Sequence, residues 1–310
     1  MRVVFMGNHT VGVRTLESLC RSCEVAGVVA HPPDVEDGVR YESVCEFARH
    51  QGLLVSRLRP TDAQFEPFVR ESKPDLIWLT DYRYLVPLDV LNLAPLGAIN
   101  LHPSLLPKYR GRAPLNWAII NGETQLGLTA HVVSDQVDSG DIVAQQSYEL
   151  APNEDVGDAL EKLYPMYQGI TGEVVRAFVK GSVQRVPQPS GDHKFYPPRR
   201  PEDGWIDWNK RATDICNLVR AVSQPYPGAF GFVSERRVTI WKCSVKRDSV
   251  NIAPGTILKA AGDDSFEVAC GDGTLIVTDY SVDTPSDDCN IRACDRFELE
   301  NRLATPAGST

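Results

Sequence analysis

The sequence predicts a protein of two domains, a mostly parallel α/β sheet followed by a smaller β-barrel. The chain of 310 residues exceeds the usual length of a single domain, about 100 to 200 residues. Short apolar segments alternate with amphipathic segments through its first half, which is typical of an open parallel sheet with helices on both faces. Near residue 181 the composition shifts to Pro, Gly and charged residues, and the strand-like segments that follow favour a small barrel.

The apolar segments of the first half predict its strands in order. The five predicted parallel strands are "RVVFM" (2–6), "VAGVVA" (25–30), "LLVS" (53–56), "DLIWL" (75–79) and "GAINL" (97–101). The stretches "VRTLESLCRSC" (13–23) and "YESVCEFARHQ" (41–51) predict helices between them, because apolar residues recur there at helical spacing. Two more strands, 128–135 and 141–150, and a helix over 155–179 complete a Rossmann-like domain.

The second half predicts a linker and then a domain rich in short strands. The segment "GSVQRVPQPSGDHKFYPPRRPEDG" has no sustained periodicity, which indicates a linker. A helix is expected at "ATDICNLVRAV", and the strands that follow it are expected at "AFGFVS", "VTIWKCSV", "GTILKA", "SFEVAC" and "TLIVTDY". We therefore predict a first domain over 1–185, a linker over 186–205 and a second domain over 206–310.

The composition argues against several classes of protein. A formal net charge of -9 is opposite to the basic excess of most proteins that bind a phosphate backbone, so no nucleic-acid partner is expected. The apolar run at the N-terminus is too short for the core of a signal peptide, and no apolar run is long enough to cross a membrane, so a cytoplasmic protein is expected. The pair "CRSC" at 20–23 has no second pair to complete four ligands, and no metal site is predicted.

An Asn and a His end the fifth predicted strand. Asn100 and His102 point to the same face, because side chains alternate along a strand and Leu101 turns to the other face. Ligands of open α/β sheets bind beyond the carboxyl ends of the strands. The amide donates and accepts without charge and the imidazole exchanges a proton near neutral pH, so together they suit an oxyanion. The alternative is that His102 only satisfies a backbone group at a turn.

A carboxylate in the same half is the predicted partner of His102. The sequence "DSGD" (138–141) separates two predicted strands, and by itself it is only a good turn. A buried Asp138 beside His102 would raise the pKa of the histidine and fix its tautomer.

These motifs together resemble those of the formyltransferases that use 10-formyltetrahydrofolate. An Asn-x-His is followed directly by "SLLPKYRG" and then, further on, by "DSGD". The segments "PEDGWIDWNKRATDICNLVRAV" and "PYPGAF" resemble the entry to the C-terminal domain of that family, which resembles an OB-type barrel. The resemblance implies an N-formyltransferase without a metal, in which Asn100, His102 and Asp138 form the catalytic trio. His102 would pass a proton from the attacking amine or to the departing folate nitrogen, and the direction is left open.

The resemblance also implies binding residues for the folate. They are Tyr84, Leu85, Val86, Ser104, Leu105, Leu106, Pro107, Arg112, Ser134, Asp135, Gln136 and Val137. Backbone N–H and C=O groups of such loops suit the donor and acceptor edge of a pterin. The alternative for the loop "SLLP" is a Pro-capped loop that packs on the sheet, and for its two leucines both interpretations are compatible.

The amine acceptor is the least determined feature. A second domain is unlike the glycinamide ribonucleotide enzymes, and the loop "HPPDVEDGVRYES", with four acidic residues to one Arg, would repel tRNA. The motifs are most similar to those of enzymes that formylate UDP-4-amino-4-deoxy-L-arabinose. A nucleotide-linked amino sugar is therefore expected, with Lys108, Tyr109 and Arg110 as its binding residues and Lys108, Arg110 and Arg112 as cations for a diphosphate.

Other interpretations remain open from the sequence. The acceptor could instead be a small amine or amino acid of specialised metabolism, or methionyl-tRNA, and a non-catalytic folate-binding regulatory protein is a further class. The segment "KFYPPRRPEDG" (194–204) is either a cover over the active site or a plain linker. A homo-oligomer is compatible with the sequence.

Overall fold

A computed structural model gives the fold for residues 1–32, 39, 41–191, 193–246, 248, 251–260, 265–283 and 291–299. Most of the acidic residues of the predicted loop at 31–43 lie outside these ranges. The first domain contains the strands β1 (Arg2–Gly7), β2 (Glu24–Val29), β3 (Val55–Ser56), β4 (Leu76–Thr80), β5 (Ala98–His102), β6 (Arg110–Gly111), β7 (Gln125–Val132) and β8 (Ile142–Glu149). Its helices are α1 (His9–Ser22), α2 (Val44–His50), α3 (Phe65–Glu71), α4 (Leu88–Leu91), α5 (Pro114–Ile120) and α6 (Val156–Lys180).

The central sheet of the first domain is mostly parallel, as predicted. Its seven strands lie in the order β3-β2-β1-β4-β5-β7-β8. The pairs from β3 to β5 are parallel, whereas β7 runs antiparallel to β5 and β8 antiparallel to β7. The carboxyl ends of β1, β4 and β5 therefore lie side by side at one edge.

Side chains of β1 alternate between two cores, one on each face of the sheet. Val3 and Phe5 belong to the larger core, which α1, α2, α5 and α6 cover. Val4 and Met6 belong to a second core under α3 and α4. This alternation is the period of two that a strand covered on both faces imposes.

Helix α6 has strong signals at both ends. The Asp155 side chain accepts from the backbone N–H groups of Gly157 and Asp158, and the Asp158 side chain accepts from the backbone of Asp155. Gly181 ends the helix in the left-handed conformation at φ 64°. A capping box and a left-handed glycine are the usual start and stop signals of a helix, which explains why this one was predicted almost to the residue.

The linker is more ordered than its sequence predicts. Within it, β9 (Phe195–Tyr196) pairs in parallel with β6, Val186 bridges to Ile142 of β8, and a 3-10 turn spans Pro201–Gly204. Strands of two residues are too short to show periodicity, so sequence analysis missed them. The domain boundaries at 185 and 205 stay predictions.

The second domain is a helix and a curled antiparallel sheet, which confirms the predicted smaller β domain. It contains α7 (Ala212–Val222), β10 (Ala229–Val233), β11 (Arg236–Lys246), β12 (Ile257–Ala260), β13 (Phe266–Ala269) and β14 (Thr274–Val282), with the strands in the order β10-β11-β14-β13-β12. Residues 295–298 bond to both edges: Glu298 N donates to Phe232 O, and Ile257 N donates to Asp295 O. This segment connects the two edge strands and so brings the sheet towards a closed barrel.

Polar contacts fix the second domain against the first. Asn116 Nδ2 donates to the carbonyl oxygen of Ala221 at 2.8 Å. The Arg220 guanidinium donates to the carbonyl oxygens of Glu154 at 2.7 Å and Ala151 at 3.1 Å.

None of the described helices is long and apolar enough to span a membrane.

Candidate active site

The carboxyl ends of β1, β4 and β5 border a cavity of about 730 Å³. The loop after β6, the helices α5 and α6, the linker and the turn after α7 form its other walls. The opening lies where an α/β sheet places its ligands, and its volume lies within the usual range for a small-molecule site, about 300 to 1,000 Å³.

Asn100 and His102 line this cavity, as the strand alternation predicts, while Leu101 belongs to the larger core through its buried side chain. His102 is buried, and its Nε2 lies 2.8 Å from the carbonyl oxygen of Tyr109. A carbonyl only accepts, so Nε2 carries a proton and a neutral imidazole has its lone pair on Nδ1. Nδ1 is 3.6 Å from Oδ2 of Asp138.

The structure brings Asp138 to the two strand residues with which it was predicted to act. Its Oδ2 accepts from the Gly111 backbone N–H at 2.9 Å, and its Oδ1 lies 3.4 Å from Asn100 Nδ2. The carboxylate is buried, and its backbone is in the left-handed region at φ 53°. The third member of the predicted trio therefore sits on a turn that presents it to both others.

His131 is a further buried member of this group, and the sequence analysis did not select it. It lies opposite Asn100 on the neighbouring β7, with Nε2 3.1 Å from Asn100 Nδ2 and 3.5 Å from Asp138 Oδ1. Its Nδ1 donates to the carbonyl oxygen of Val132 at 2.9 Å. The sequence analysis predicted "LTAHVVSD" as a strand but not as the partner of β5, so it gave no signal that His131 lies opposite Asn100. Both N–H groups of Asn100 thus point to protein acceptors. To donate to an oxyanion, Asn100 must give up the longer of its two hydrogen bonds, which is the one to Asp138.

Burial and charge act in opposite directions on this group. Burial lowers the pKa of His102 below its usual value and outweighs Asp138 and the Tyr109 carbonyl, which both raise it. The prediction that the pKa of His102 would be raised is therefore wrong in its net direction, although it named the effect of Asp138 correctly. Burial would raise the pKa of Asp138, but His102, His131 and the Gly111 N–H outweigh it and hold it well below the usual range. A neutral imidazole beside a carboxylate is the resulting state near pH 7.

Some of the predicted folate residues line the cavity. They are Tyr84, Leu85, Arg112 and Val137. Val86 instead packs against the smaller core. Ser134, Asp135 and Gln136 form the turn before Asp138, where the Ser134 hydroxyl donates to the carbonyl oxygen of Gln136 at 3.1 Å.

The loop from Ser104 to Pro107 packs on the sheet in this structure. Thr129 Oγ1 donates to the carbonyl oxygen of Ser104 at 2.6 Å, and Gln145 Nε2 donates to that of Leu106 at 3.0 Å. The side chain of Leu105 covers Gly127 of β7. The packing interpretation of this loop fits these contacts, and its role in folate binding stays a prediction.

The three predicted substrate residues have partners outside the cavity wall. The Lys108 ammonium and the Tyr109 hydroxyl both lie on the carboxylate of Glu123, at 3.1 Å and 3.0 Å. The Arg110 guanidinium donates to Oε1 of Gln188 at 2.6 Å and 3.2 Å. Of the predicted diphosphate cations, the structure places Arg112 on the cavity wall.

The linker contributes two arginines to the cavity that sequence analysis did not select. Arg199 and Arg200 line it together with Phe195 and Pro198. The Arg199 guanidinium lies 4.9 Å from the ring centre of Trp117 and donates to the carbonyl oxygen of Asp203 at 2.7 Å. The segment 194–204 is therefore part of the cavity wall, and the pair of cations in "YPPRRP" was the signal.

A second histidine and carboxylate group lies at the ends of β1 and β4. His9 Nδ1 is 2.5 Å from Asp81 Oδ2, and the Tyr41 ring stacks on His9 at 3.8 Å. Asp81 is 48% exposed, and it lines the cavity together with His9 and Tyr41. Burial would raise the pKa of Asp81, but the hydrogen bond and charge of His9, together with His31 and Arg112, hold it below its usual value. Within the described ranges, no group of three or more His, Cys, Asp or Glu residues suits a metal ion.

A mostly parallel sheet whose carboxyl edge holds a buried His and carboxylate pair beside a cavity is typical of an α/β enzyme with acid-base chemistry. Comparison with protein-family models identifies its kind. Residues 1–174 match formyl transferase, and residues 199–284 match the C-terminal domain of formyl transferase. The chain belongs to the formyl transferase family.

Solved structures of similar fold include two formyltransferases that were solved with a folate compound and a dTDP compound. WlaRD, a sugar 3N-formyl transferase studied in the presence of dTDP and 5-N-formyl-THF, has a TM-score of 0.69 at 17% identity and covers 90% of this chain and 97% of its own. The N-formyltransferase from Helicobacter canadensis, in complex with folinic acid and dTDP-3-aminofucose, has a TM-score of 0.68 at 16% identity, covering 90% and 99%. The methionyl-tRNA formyltransferase from Clostridium thermocellum has a TM-score of 0.56 at 14% identity, covering 91% and 99%.

Proposed function

We propose that this protein transfers the formyl group of 10-formyltetrahydrofolate to the amine of a nucleotide-linked amino sugar. The observation that carries the proposal is the buried group of Asn100, His102 and Asp138 opening into a cavity whose wall also contains Arg83, Arg112, Arg199 and Arg200. An uncharged imidazole suits transfer of a proton from an amine, and the arginines suit a phosphate-bearing acceptor. The two sugar enzymes of similar fold bind folate compounds together with dTDP or a dTDP-linked amino sugar.

His102 is the proton acceptor in this proposal. Its Nδ1 takes a proton from the amine nitrogen as that nitrogen bonds to the formyl carbon, and the same proton then passes to the departing folate nitrogen. Asp138, at 3.6 Å, stabilises the imidazolium in between. Asn100 turns one N–H from Asp138 to the formyl oxygen as negative charge develops there. In this mechanism the folate supplies the activated formyl group.

The folate and the acceptor would occupy different parts of the cavity wall. Tyr84, Leu85 and Val137 are the predicted folate residues that line it, and they offer apolar area for a flat ring. The diphosphate of the acceptor would lie on Arg112, Arg199 and Arg200, since guanidinium groups bind phosphate oxygens in pairs. This assignment replaces Lys108 and Arg110, which are not among the residues of the cavity wall and whose side chains contact Glu123 and Gln188.

The proposal also includes the partners and the cellular location of the enzyme. We propose small-molecule substrates and no nucleic-acid partner, because the net charge of -9 is opposite to the basic excess of most proteins that bind a phosphate backbone. A cytoplasmic location stays a prediction. A homo-oligomer stays a prediction.

The test is a comparison of acceptors at one salt concentration. Purified protein is given 10-formyltetrahydrofolate and, in separate reactions, UDP- and dTDP-linked amino sugars, free amino sugars, amino acids and methionyl-tRNA, and release of tetrahydrofolate is measured. We expect a nucleotide-linked amino sugar to give the highest kcat/KM. A higher value for methionyl-tRNA or for a free amine would contradict the proposed acceptor, and release without dependence on any amine would contradict the enzyme class.

A further inference from the structure

Gln188 of the linker contacts the turn that carries Asp138. Its side-chain Nε2 donates to the carbonyl oxygen of Asp138 at 2.9 Å and to that of Gly140 at 2.8 Å. Its Oε1 accepts from the Arg110 guanidinium at 2.6 Å and 3.2 Å. The Gln188 side chain, which lies outside the first-domain sheet, thus connects Arg110 of β6 to the turn that carries Asp138.

The orientation of the Gln188 amide follows from its partners. Two carbonyl oxygens surround the nitrogen, and a guanidinium surrounds the oxygen. A flipped amide would place an oxygen against two carbonyls and a nitrogen against a cation, so the flipped orientation is excluded. Gln188 therefore acts as a double donor to the turn.

The hydrogen bonds of Gln188 close a circuit around Asp138. Arg110 precedes Gly111, whose backbone N–H donates to Asp138 Oδ2 at 2.9 Å. Gln188 bonds to Arg110 on one side and to the backbone of Asp138 on the other. The position of the carboxylate against His102 thus depends on both loops, and Gln188 is the residue that connects them.

The turn needs such a support because its backbone is strained. Asp138 is left-handed at φ 53°, a conformation that is uncommon for a non-glycine residue. Gly140 is held so tightly that a Cβ there would lie 1.9 Å from the carbonyl oxygen of Val132. A turn in this state persists only where its surroundings determine it, and the described donor to the carbonyl oxygens of Asp138 and Gly140 is Gln188 of the linker.

We propose that Gln188 is a positioning residue for Asp138, so that the linker between the domains sets the geometry of the catalytic carboxylate against His102. The proposal rests on the proposed function, because it takes His102 and Asp138 as the acid-base pair. It adds a residue that contacts neither substrate and acts through the turn. The titratable groups that face His102 are Asp138 and His131, and those that face Asp138 are His102 and His131.

The first measurement uses the free protein and needs no acceptor. The full chain is labelled at the histidine carbons, the His102 signal is assigned from a His102→Gln variant, and its titration is followed by NMR. In Gln188→Met both donors are lost without a change of charge. We expect the His102 titration to move to lower pH, because a displaced Asp138 no longer favours the imidazolium. Gln125→Met, at an exposed position at the start of β7, is the matched control and should titrate like the wild type.

The second measurement is kinetic and uses the acceptor that gives the highest kcat/KM. Displacement of a catalytic group by about 1 Å costs up to 10²-fold in rate, so kcat of Gln188→Met should fall by about 10- to 100-fold. KM for 10-formyltetrahydrofolate should stay within about twofold, because the folate wall is unchanged. Gln188→Asn, which keeps the amide but is too short to reach both carbonyls, is the second variant if Gln188→Met does not fold.

The outcomes separate this proposal from the proposed function. If Asp138→Asn moves the His102 titration and Gln188→Met does not, Gln188 is not a positioning residue and the catalytic pair stands. If Asp138→Asn leaves the titration unchanged, the catalytic pair itself is wrong. Because the NMR titration uses the free protein, it decides on Gln188 even if every tested acceptor fails. A shift in Gln125→Met as large as that in Gln188→Met would also overturn the proposal.

Discussion

Replacement of Asp138 by Asn tests the centre of the mechanism. The change keeps the size of the side chain, and Asn tolerates the left-handed backbone of this position at least as well as Asp. The oxygen of the new amide can still accept from the Gly111 N–H. The amide nitrogen would then face Nε2 of His131, which can accept from it. We therefore expect a folded protein that lacks the negative charge and the 3.4 Å hydrogen bond from Asn100.

The size of the effect follows from the distance between the two groups. Nδ1 of His102 is 3.6 Å from Oδ2 of Asp138, and both side chains are buried. Opposite charges about 4 Å apart attract by about 4 kcal/mol at an effective dielectric constant of about 20. If the imidazolium forms in the transition state, loss of this attraction lowers kcat by about 10²- to 10³-fold, since 1.36 kcal/mol corresponds to about one factor of ten.

The assay measures the release of tetrahydrofolate with the acceptor that gives the highest kcat/KM. It is run at about five evenly spaced pH values between about 5 and 9. We expect Asp138→Asn to keep its KM for 10-formyltetrahydrofolate and to lose kcat. Its acid limb should also move to lower pH, because the carboxylate raises the pKa of His102. Asp279→Asn, an exposed change of the same type on β14, is the control. A kcat within about threefold of the wild type, or an unmoved acid limb, would refute the pairing.

Four further outcomes follow from the geometry. His102→Ala should lower kcat by about 10²- to 10³-fold, measured in the same assay. Burial lowers the pKa of His102 and only the neutral base is active, so kcat/KM of the wild type should fall only below about pH 6.5. Arg200→Ala should raise KM for a nucleotide-linked sugar but not for the free sugar, whereas Arg185→Ala at an exposed position should change neither. Gly111→Ala should destabilise the protein by about 1 to 3 kcal/mol in urea unfolding, because its φ is +103° and a Cβ would lie 2.4 Å from the carbonyl oxygen of Tyr196.

The sequence predicted those helices and strands that carry a recognisable local pattern. The strands β1, β4 and β5 are runs of buried residues, and α6 has a capping box and a terminal glycine, so both types of element were recognisable. The short elements β6, β9 and α4 were not, because they have two, two and four residues, whereas the two-residue β3 was predicted from the apolar segment 53–56 that contains it. Such elements are determined by tertiary contacts that no local pattern encodes.

The candidate site was predictable where a strand end presents it. Asn100 and His102 follow directly from the position of β5, and the trio was completed by Asp138 because the motif combination resembles a family. His131 required the pairing of β7 with β5, which the sequence predicted as strands but not as partners. The direction of the pKa shift of His102 required its burial, which the sequence does not supply.

The linker accounts for most of the residues that sequence analysis missed, and the reason is physical. An aperiodic segment rich in proline gives no signal of what it faces, yet its backbone pairs with β6 and its side chains reach the cavity. The turn after α7, with Tyr226 and Pro227, also lines the cavity, so the second domain contributes to the same wall. Arg220 of that domain bonds to the carbonyl of Glu154 just before α6, which fixes this wall in place. A site whose proposed base lies on the sheet, and which takes two of its proposed cations and the support of Asp138 from the linker, therefore depends on both domains being docked.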